Sequence, residues 1–388
     1  MNAGVRARTS AARSLALALC TGLLVACDGA ATAPPAGICS YPTGNAPCER
    51  AIAEAMQAAG VPAVSVAIVR DGRIDAFWSR GVADASTGYP VTPHTYFQVG
   101  DLSASVTAYA AMRLVQDDRL SLDADVNDRL VRWRIPPNDF MSVEKVTLRR
   151  LLSHTAGLSV ESFDGYARGD QRPSLVQVLD GAPPATSPPV RVVATPGSVL
   201  ARSAGGYAVV QLLLEEVTAR SFFNLMQGSI LPPLGMTDGG YFQPLVPGQW
   251  PLAASGHHAD GSVVPGAWRV YPQLAASGLW LNAEDMARFV IEVQRAWSGD
   301  ASARLRQGLA RTMLAPVRGE QALGFRVEGA GETLRFVQDG ATEGFRARLI
   351  GLLESGYGAV IFTNGDGGAA LVDALTEAIA RDEGWPRW

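Results

Sequence analysis

The sequence predicts an α+β fold of the α/β-sandwich type, in which one antiparallel sheet is built from strands at both chain ends. Short β-rich runs joined by tight turns occur near residues 64–78 and again near residues 347–363. Between them, residues 102–289 show mainly helical patterns broken by loops rich in proline and glycine. The simplest assembly pairs the two ends in one sheet, flanks that sheet with helices and inserts a mainly helical subdomain.

The composition is that of a globular protein with a large core. The chain has 388 residues, of which 47% are hydrophobic and 18% are charged. Its formal net charge is −4, and it contains no basic run long enough to follow a phosphate backbone, so nucleic acid is not expected as a partner. Lys145 is its only lysine, which limits the catalytic chemistries that the chain can support.

Residues 1–26 are predicted to be a lipoprotein signal peptide. Three arginines precede an apolar run at residues 15–26, which is too short to span a bilayer as a helix. The run ends in Leu-Val-Ala before Cys27, a pattern that resembles a bacterial lipobox, in which the cysteine is acylated. The alternative is an ordinary signal peptide followed by an incidental cysteine. The lipobox predicts an exported protein, lipid-anchored at the cell envelope and facing the periplasm.

Residues 27–47 are predicted to form a tether, because they are rich in alanine, proline, glycine and threonine and offer little apolar area to bury. Cys39 and Cys48 are the cysteines that remain after the lipobox. In an exported protein they are expected to form a local disulfide that pins the tether to the first helix. Two free thiols are the alternative.

One domain is predicted at residues 48–388, with an α/β part at about 48–98 and 300–388 and a helical insert at about 99–299. Asp71-Gly72 is a strong hairpin-turn signal between two strands, and a second hairpin is expected near the other chain end. The predicted elements are a helix at Glu49–Ala59, strands at Val64–Val69, Ile74–Trp78, Ala347–Leu353 and Ala359–Thr363, and a helix at Ala369–Arg381.

Seven short motifs follow one another along the chain. They are Val66-Ala67-Ile68-Val69-Arg70-Asp71-Gly72, Thr95-Tyr96-Phe97-Gln98-Val99-Gly100, Leu151-Leu152-Ser153-His154-Thr155-Ala156-Gly157-Leu158, Pro196-Gly197-Ser198, Leu234-Gly235-Met236-Thr237, Ala276-Ser277-Gly278-Leu279-Trp280 and Gly340-Ala341-Thr342-Glu343-Gly344-Phe345. In this order they resemble the serine β-lactamase and penicillin-binding-protein-like hydrolases, particularly the class C branch with its esterase and peptidase relatives. The resemblance covers roughly residues 50–388 and implies the β-lactamase/transpeptidase-like fold.

The resemblance also implies a chemistry, acyl transfer through a serine at the start of a helix. In Ser-x-x-Lys, one helical turn places the lysine beside the hydroxyl. A second motif, Tyr-x-Asn, supplies a phenol that moves the proton and an amide that holds the substrate. A third, Lys-Thr-Gly or His-x-Gly on a sheet edge, supplies positive charge and backbone donors for the developing oxyanion.

Counting from the quoted motifs, the reactive positions carry different residues. The nucleophile falls at Asp101, the lysine at Ala104, the tyrosine at Arg202, the asparagine at Ala204, the cation of the third motif at Gln338 and its glycine at Gly340. Alanine accepts no proton, arginine is not a base at neutral pH, and an aspartate nucleophile would form a mixed anhydride. We therefore predict a catalytically impaired or inactive pseudoenzyme, although whether it is an enzyme stays open. The alternatives are an active hydrolase in which Asp101 activates water, and a purely structural lipoprotein.

The residues expected to form the binding pocket are Asp101, Ser103, Arg202, Ser203, Gln338 and Thr342. In the geometry that the resemblance implies, Asp101 and Arg202 face each other, which predicts an ion pair. A helix N-cap is the other interpretation of Asp101. The expected ligand is a small molecule or a cell-wall peptide, whose identity the sequence does not give, nor does it give the oligomeric state.

No cofactor and no metal are expected, because the four histidines have no metal-binding spacing. His154 is interpreted as a hydrogen-bonded structural residue, and the pair His257-His258 as loop surface. Ser142-Val143-Glu144-Lys145 formally fits Ser-x-x-Lys, but its position before the helix that ends near His154 indicates a coincidental match.

Overall fold

The computed structural model describes residues 37–386 of the chain. The helices are α1 (Ala46–Ala58), α2 (Leu102–Gln116), α3 (Leu148–Leu152), α4 (Leu175–Asp180), α5 (Ala204–Thr218), α6 (Phe222–Leu225), α7 (Leu274–Ser277), α8 (Ala283–Ser298), α9 (Gln307–Leu314) and α10 (Gly368–Asp382). The strands are β1 (Ala63–Arg70), β2 (Arg73–Asp84), β3 (Tyr89–Pro90), β4 (Phe97–Gln98), β5 (Gly239–Gly240), β6 (Trp280–Leu281), β7 (Arg326–Glu328), β8 (Arg335–Thr342), β9 (Phe345–Leu352) and β10 (Gly358–Thr363).

The main sheet has seven strands in the order β3-β2-β1-β10-β9-β8-β7, and all of its pairings are antiparallel. Strand β1 from the start of the chain pairs with β10 from its end, so that Val66 lies opposite Ile361. The predicted sheet built from both chain ends is therefore confirmed, and so are its two hairpins.

The two faces of this sheet are covered by different helices. Alternate β1 residues such as Val66 and Ile68 pack in one apolar cluster with α10 residues such as Leu371. The intervening Ala67 and Val69 belong to the larger cluster on the opposite face. There α8, which lies within the residues assigned to the helical insert, packs directly against β1, β9 and β10.

The helical region is organised around α2, which is buried along nearly its whole length and contacts α5, α7 and α9. A three-stranded sheet in the order β4-β6-β5 lies within this region and was not predicted, because its two-residue strands are too short to leave a periodic pattern. The short strand β7 was missed for the same reason.

The segment after the predicted signal peptide is attached to the fold. Cys39 and Cys48 form the predicted disulfide, with a Cα–Cα distance of 5.7 Å. Ile38 is buried against the cluster that contains α1 and α10, and the backbone carbonyl of Ser40 accepts a hydrogen bond from Trp78 Nε1 at 2.8 Å. Residues 37–47, which the sequence assigned to the tether, are thus packed on the domain. Cys27 lies outside the described residues.

Within residues 37–386, no helix is both long enough and apolar enough to cross a bilayer.

Candidate functional site

The start of α2 is held against the C-terminal half of β8 by two glycines. Gly100 has a φ of +53°, and a Cβ atom built on it would lie 2.6 Å from the amide nitrogen of Ala341. A Cβ atom on Gly340 would lie 2.1 Å from the carbonyl oxygen of Val99. Only glycine permits this approach at both positions, and the approach places Asp101, the residue that precedes α2, beside the exposed end of β8.

Asp101 and Arg202 form the ion pair that the sequence predicted. A terminal nitrogen of the Arg202 guanidinium donates a hydrogen bond to Asp101 Oδ1. The Asp101 side chain is 16% exposed, whereas that of Arg202 is 44% exposed. The pair therefore occupies the two positions where the resemblance places the nucleophile and the phenol.

The N-cap interpretation of Asp101 is wrong. Asp101 precedes the first residue of α2, but its side chain makes no capping hydrogen bond. The carboxylate turns instead towards Arg202, with which it forms a hydrogen bond between two charged groups. The backbone angles of Asp101, φ −67° and ψ −9°, are helical, and its side chain lines the cavity.

Burial raises the pKa of the Asp101 carboxyl above its usual value, and Arg202 opposes this shift. The backbone N–H groups of Ala341 and of Asp101 itself also favour the charged form. Ala341 lies on β8, the strand that the resemblance assigns to the donors for an oxyanion. The carboxylate thus interacts with groups that an acyl-transfer enzyme keeps for its reacting substrate.

A cavity of about 560 Å³, which we call the site cavity, opens above this pair and extends along β8 towards the start of α10. A void of about 10 Å³, room for about one water molecule, lies beneath it and is lined by Ala104 and Ala204. Asp101, Arg202 and Gln338 line both spaces. The alanines therefore leave a gap where the resemblance places the lysine and the asparagine.

His154 also lines both spaces, so it is closer to the candidate site than a purely structural residue needs to be. Its Nδ1 atom accepts a hydrogen bond from the backbone N–H of Ser203 at 3.2 Å, and its ring lies 5.3 Å from that of Tyr207. Desolvation and then the positive charge of Arg202 lower the pKa of His154 to about 4. His154 is therefore a hydrogen-bonded, neutral imidazole at pH 7, in agreement with its structural interpretation.

Three of the residues expected in the pocket have their hydroxyl groups committed elsewhere. Ser103 Oγ accepts from the backbone N–H of Leu279 at 3.1 Å. Ser203 Oγ caps α5 by accepting from Gly206 N at 2.9 Å, and Thr342 Oγ1 donates to a side-chain oxygen at 3.2 Å. All three residues are buried, and none lines the site cavity. Counting along the sequence could not give the direction of these three side chains.

Gln338 lies at the exposed part of β8. Strand β7 pairs with Arg335–Val337 only, so that within the described chain no strand covers the outer edge of β8 from residue 338 onward. The Gln338 side-chain amide donates to the backbone carbonyl of Asp339 at 3.0 Å. An uncharged amide thus stands where the resemblance places a cation.

The sequence reasoning missed a set of charged residues that line the rest of the site cavity. Asp339 lies between Arg326 and Arg348, at 3.0 and 2.6 Å, and Arg348 also contacts Asp373 at 2.7 Å. The signal that could have found them is the alternation of arginine at 346 and 348 in an otherwise apolar strand. Each of these guanidinium groups has a carboxylate partner, so the site cavity carries paired charges.

The formal Ser-x-x-Lys match at residues 142–145 is not a catalytic pair. Ser142 Oγ donates to the backbone carbonyl of Asp139 at 2.8 Å. Lys145 lines a separate cleft together with Thr147 and Thr155, whose hydroxyls bond to the backbone N–H of residue 150 and to the hydroxyl of residue 153. Within residues 37–386, no hydroxyl makes a hydrogen bond with the Lys145 ammonium.

The interpretation of His257 as loop surface is wrong. His257 is fully buried, with Nδ1 2.8 Å from the carbonyl oxygen of Asn364 and Nε2 accepting from the backbone N–H of Ala85 at 3.1 Å. It fills a polar gap between loops, whereas His258 is partly exposed. In the part of the chain that the structure describes, no group of three or more histidine, cysteine or acidic residues is arranged to hold a metal ion.

Comparison with known proteins connects the fold to one family. A sequence model of the beta-lactamase family matches residues 48–382. Penicillin-binding protein 4 of Amycolatopsis lactamdurans is 30% identical over 176 residues, which is 45% of this chain and 44% of that protein. The chain therefore spans less than half the length of this relative.

Solved structures support the fold assignment. The octameric penicillin-binding protein homologue from Pyrococcus abyssi superposes with a TM-score of 0.71 at 23% identity, covering 87% of this chain and 76% of that chain. A class C beta-lactamase from Rhodobacter sphaeroides gives a TM-score of 0.67 at 17% identity, covering 86% and 98%. At such identities the likeness concerns the fold, which is the one that the sequence motifs implied.

Proposed function

Because this chain belongs to the beta-lactamase family, whose members are serine hydrolases, and carries other residues at the reactive positions, we propose that it is a catalytically impaired or inactive member. It acts by binding a small molecule, a cell-wall peptide or a protein partner. One observation carries the proposal. The position of the serine nucleophile holds Asp101, whose carboxylate is paired with Arg202 in place of a phenol.

The missing groups are those that proton transfer requires. Acylation of a serine needs a nucleophilic oxygen and a base that takes its proton. Asp101 offers a carboxylate with no proton to transfer in its paired state, Ala104 offers a methyl group, and the guanidinium of Arg202 has donors but no acceptor. Gln338 can donate a hydrogen bond but adds no positive charge to stabilise an oxyanion.

The site cavity favours a binding role over a purely structural one. A structural lipoprotein would be expected to have a collapsed site, whereas the cavity of about 560 Å³ has the size of a small-molecule pocket. Its wall combines Leu200 with the charged groups of Arg202, Arg326 and Asp339. This composition suits a ligand with both apolar and polar groups.

The proposed location is the cell envelope, with the domain facing the periplasm and an acyl chain on Cys27 as its anchor. The lipobox-like run before Cys27 supports this location, as does the disulfide between Cys39 and Cys48, since such bonds persist in oxidising compartments. Mass spectrometry of the protein recovered from its native membrane tests the anchor, because acylation adds a defined mass to a chain that begins at Cys27.

Intact-mass spectrometry after incubation with a penicillin tests the absence of acyl transfer. The protein used is the chain from Asp28 onward, which retains every described residue. We expect no penicilloyl adduct and no turnover of nitrocefin or of a short ester. An adduct of one penicillin per chain would contradict the proposal.

Restoring the family's groups tests whether the scaffold alone limits activity. The combined variant Asp101→Ser, Ala104→Lys, Arg202→Tyr and Gln338→His is expected to gain a penicilloyl adduct. The matched control carries Asp101→Ala with the same three other changes, and it should gain none because it has no nucleophile. An adduct in both variants would place the reaction at another residue.

A second candidate is an active hydrolase in which Asp101 acts as a base towards water. The raised pKa of the Asp101 carboxyl favours it, because a proton acceptor works best when its pKa approaches the working pH. In that case the wild-type chain would hydrolyse a short ester, and Asp101→Ala would abolish the reaction while Lys145→Ala would not.

A further inference from the structure

A second cleft, of about 490 Å³, lies far from the site cavity and carries an excess of positive charge. We call it the arginine cleft. Its charged lining consists of Arg73, Arg288, Arg295, Arg304 and Glu292. Such an excess is notable in a chain with a net charge of −4.

Two of these charges are satisfied within the fold. Arg288 forms ion pairs with Glu284 and Asp285 on its own helix. Glu292 is buried, and its Oε1 atom accepts from the Tyr109 hydroxyl and from two backbone N–H groups. Hydrogen-bond donors within the fold therefore stabilise the negative charge of Glu292.

The three other arginines are left with spare positive charge. Arg73 and Arg304 have no side-chain hydrogen bond or ion pair within residues 37–386. Arg295 donates to the backbone carbonyl of Gly72 at 3.3 Å. The pKa of the exposed Asp300 is lowered mainly by hydrogen bonds from Ser302, and Arg295 makes a smaller contribution. An anion that enters the cleft therefore meets guanidinium groups that need not first break an ion pair.

The walls between these arginines are apolar. Ile74 and Leu234 are half-buried, and Ile291 is 7% exposed. Guanidinium groups form bidentate bonds with phosphate, while apolar walls suit hydrocarbon. The combination fits an anionic amphiphile better than a free inorganic ion.

The cleft lies at the end of the molecule opposite the candidate site. Helix α2 begins beside Asp101 and ends at Gln116, whose side chain donates to the backbone carbonyl of Arg304 at 3.1 Å. A helix of this length spans roughly 22 Å. The cleft is therefore separate from the acyl-transfer positions.

The chain also enters the fold at this end of the sheet. The Tyr41 hydroxyl donates to Asp75 at 2.6 Å, and Asp75 is two residues from Arg73 on β2. Nine residues separate Cys27 from Gly37, a stretch that reaches at most about 35 Å when extended. An acyl anchor on Cys27 would hold this end of the domain near the bilayer.

We propose that the arginine cleft binds the phosphate headgroup of an anionic phospholipid, so that the domain rests on the membrane with the site cavity facing away from it. The choice of a membrane lipid as the occupant rests on the anchor proposed above. The positive charge of the cleft is independent of that anchor. Each arginine near an anionic membrane surface is expected to strengthen binding roughly fivefold.

The test uses the chain from Asp28 onward, which has no acyl group, and measures its co-sedimentation with vesicles. We expect binding to vesicles that contain phosphatidylglycerol and little binding to vesicles of phosphatidylcholine alone. Arg73→Gln with Arg304→Gln should weaken binding by at least about tenfold. The matched control, Lys145→Gln with Arg318→Gln, removes the same charge from another cleft and should change binding less than about twofold.

Three outcomes would overturn the proposal. They are equal binding to both kinds of vesicle, equal weakening by the two double variants, and a glycerol phosphate affinity as high as the vesicle affinity. If the first double variant does not fold, as judged by thermal unfolding, Arg295→Gln replaces it, and about fivefold weaker binding is expected because one charge is removed instead of two. None of these outcomes alters the penicillin and ester assays, so failure here is distinct from failure of the proposed pseudoenzyme.

Discussion

The site cavity and the arginine cleft are both lined by arginines, yet their guanidinium groups are balanced in different ways. In the site cavity, Arg202, Arg326 and Arg348 each contact a carboxylate. In the arginine cleft, Arg73 and Arg304 contact none within the described residues. A paired guanidinium stabilises the arrangement that is already present, whereas an unpaired one stabilises the complex with a ligand.

The difference also concerns the backbone. At the site cavity, the turn before α2 and strand β8 approach so closely that only glycines fit. At the arginine cleft, Gly72 has a positive φ but no atom within 4 Å of a Cβ position. The positions counted from the family motifs therefore lie in the tightly packed part of the molecule, and the proposed lipid site lies in a more open part.

The largest expected effect is the loss of stability when a methyl group is added to the backbone at the site cavity instead of at the arginine cleft. Gly340→Ala places a methyl group 2.1 Å from a backbone oxygen and should lower the free energy of unfolding by about 3 kcal/mol or more. Gly72→Ala, which strains only φ, should cost about 1 kcal/mol. Urea denaturation measures both values. Equal losses would contradict the contrast in packing.

Replacing one arginine of the site cavity and one of the arginine cleft tests the contrast in charge pairing. Arg202→Ala leaves the largely buried carboxylate of Asp101 without its guanidinium and should destabilise the fold by about 2 kcal/mol. Adding Asp101→Asn should restore most of this loss, because the unpaired charge is then absent. Arg304→Ala should change stability by less than about 0.5 kcal/mol. Denaturation of these three variants checks the ranking, and a large loss of stability in Arg304→Ala would contradict it.

The pH dependence of stability should have opposite signs at the two ends. The pKa of His154 falls from its usual 6.5 to about 4, mainly through desolvation. Between these values only the unfolded chain binds the proton, so this contribution is complete above pH 6.5 and is lost as the pH falls towards 4. His154→Gln should remove roughly 3 kcal/mol of pH-dependent stability over that range.

Asp285, a buried partner of Arg288, which lines the arginine cleft, should act in the reverse direction. Desolvation raises the pKa of this carboxyl from 3.8 to about 6. Here the folded protein holds the proton more tightly, so the contribution falls as the pH rises from about 4 to about 6. In urea titrations at several pH values, Asp285→Asn should steepen the rise of stability with pH, and His154→Gln should flatten it. If both variants changed the slope of stability against pH in the same direction, the pKa shifts given for His154 and Asp285 would be contradicted.

The smallest effect is expected at Lys145. Its ammonium has no ion pair within residues 37–386, so Lys145→Ala should change the free energy of unfolding by less than about 0.5 kcal/mol and should not alter any ester turnover. If the variant lost a measurable hydrolase activity, the proton acceptor would lie in the cleft of Lys145. The comparison of the site cavity with the arginine cleft would then no longer describe the chemistry of the protein.

The sheet and the candidate ion pair could be predicted because their signals are local or counted from local anchors. The hairpin turn at Asp71-Gly72 and the β-rich run of β1 predicted the sheet. The motif before α2 gave the position of Asp101, and the motif at residues 196–198 gave that of Arg202. These signals come from residues that are close together in the sequence, so that their spacing can be read from it directly.

Other features depend on contacts between distant segments and could not be predicted. The burial of His257 needs Asn364 and Ala85 on two other loops. The arginine cleft brings together Arg73 and Arg304, which are more than two hundred residues apart. Pairing of charges, direction of hydroxyls and the size of a cavity are likewise properties of the assembled fold.

The bond from the Gln338 side chain to the Asp339 carbonyl has a further consequence. An uncovered strand edge is a template on which a second molecule can add its own strand and begin to aggregate. The amide of Gln338 occupies one of the free acceptors on this edge, and charged side chains on the neighbouring strands discourage a close second chain. The same substitution Gln338→His that is meant to restore catalysis would remove this protection, so loss of solubility is its expected side effect.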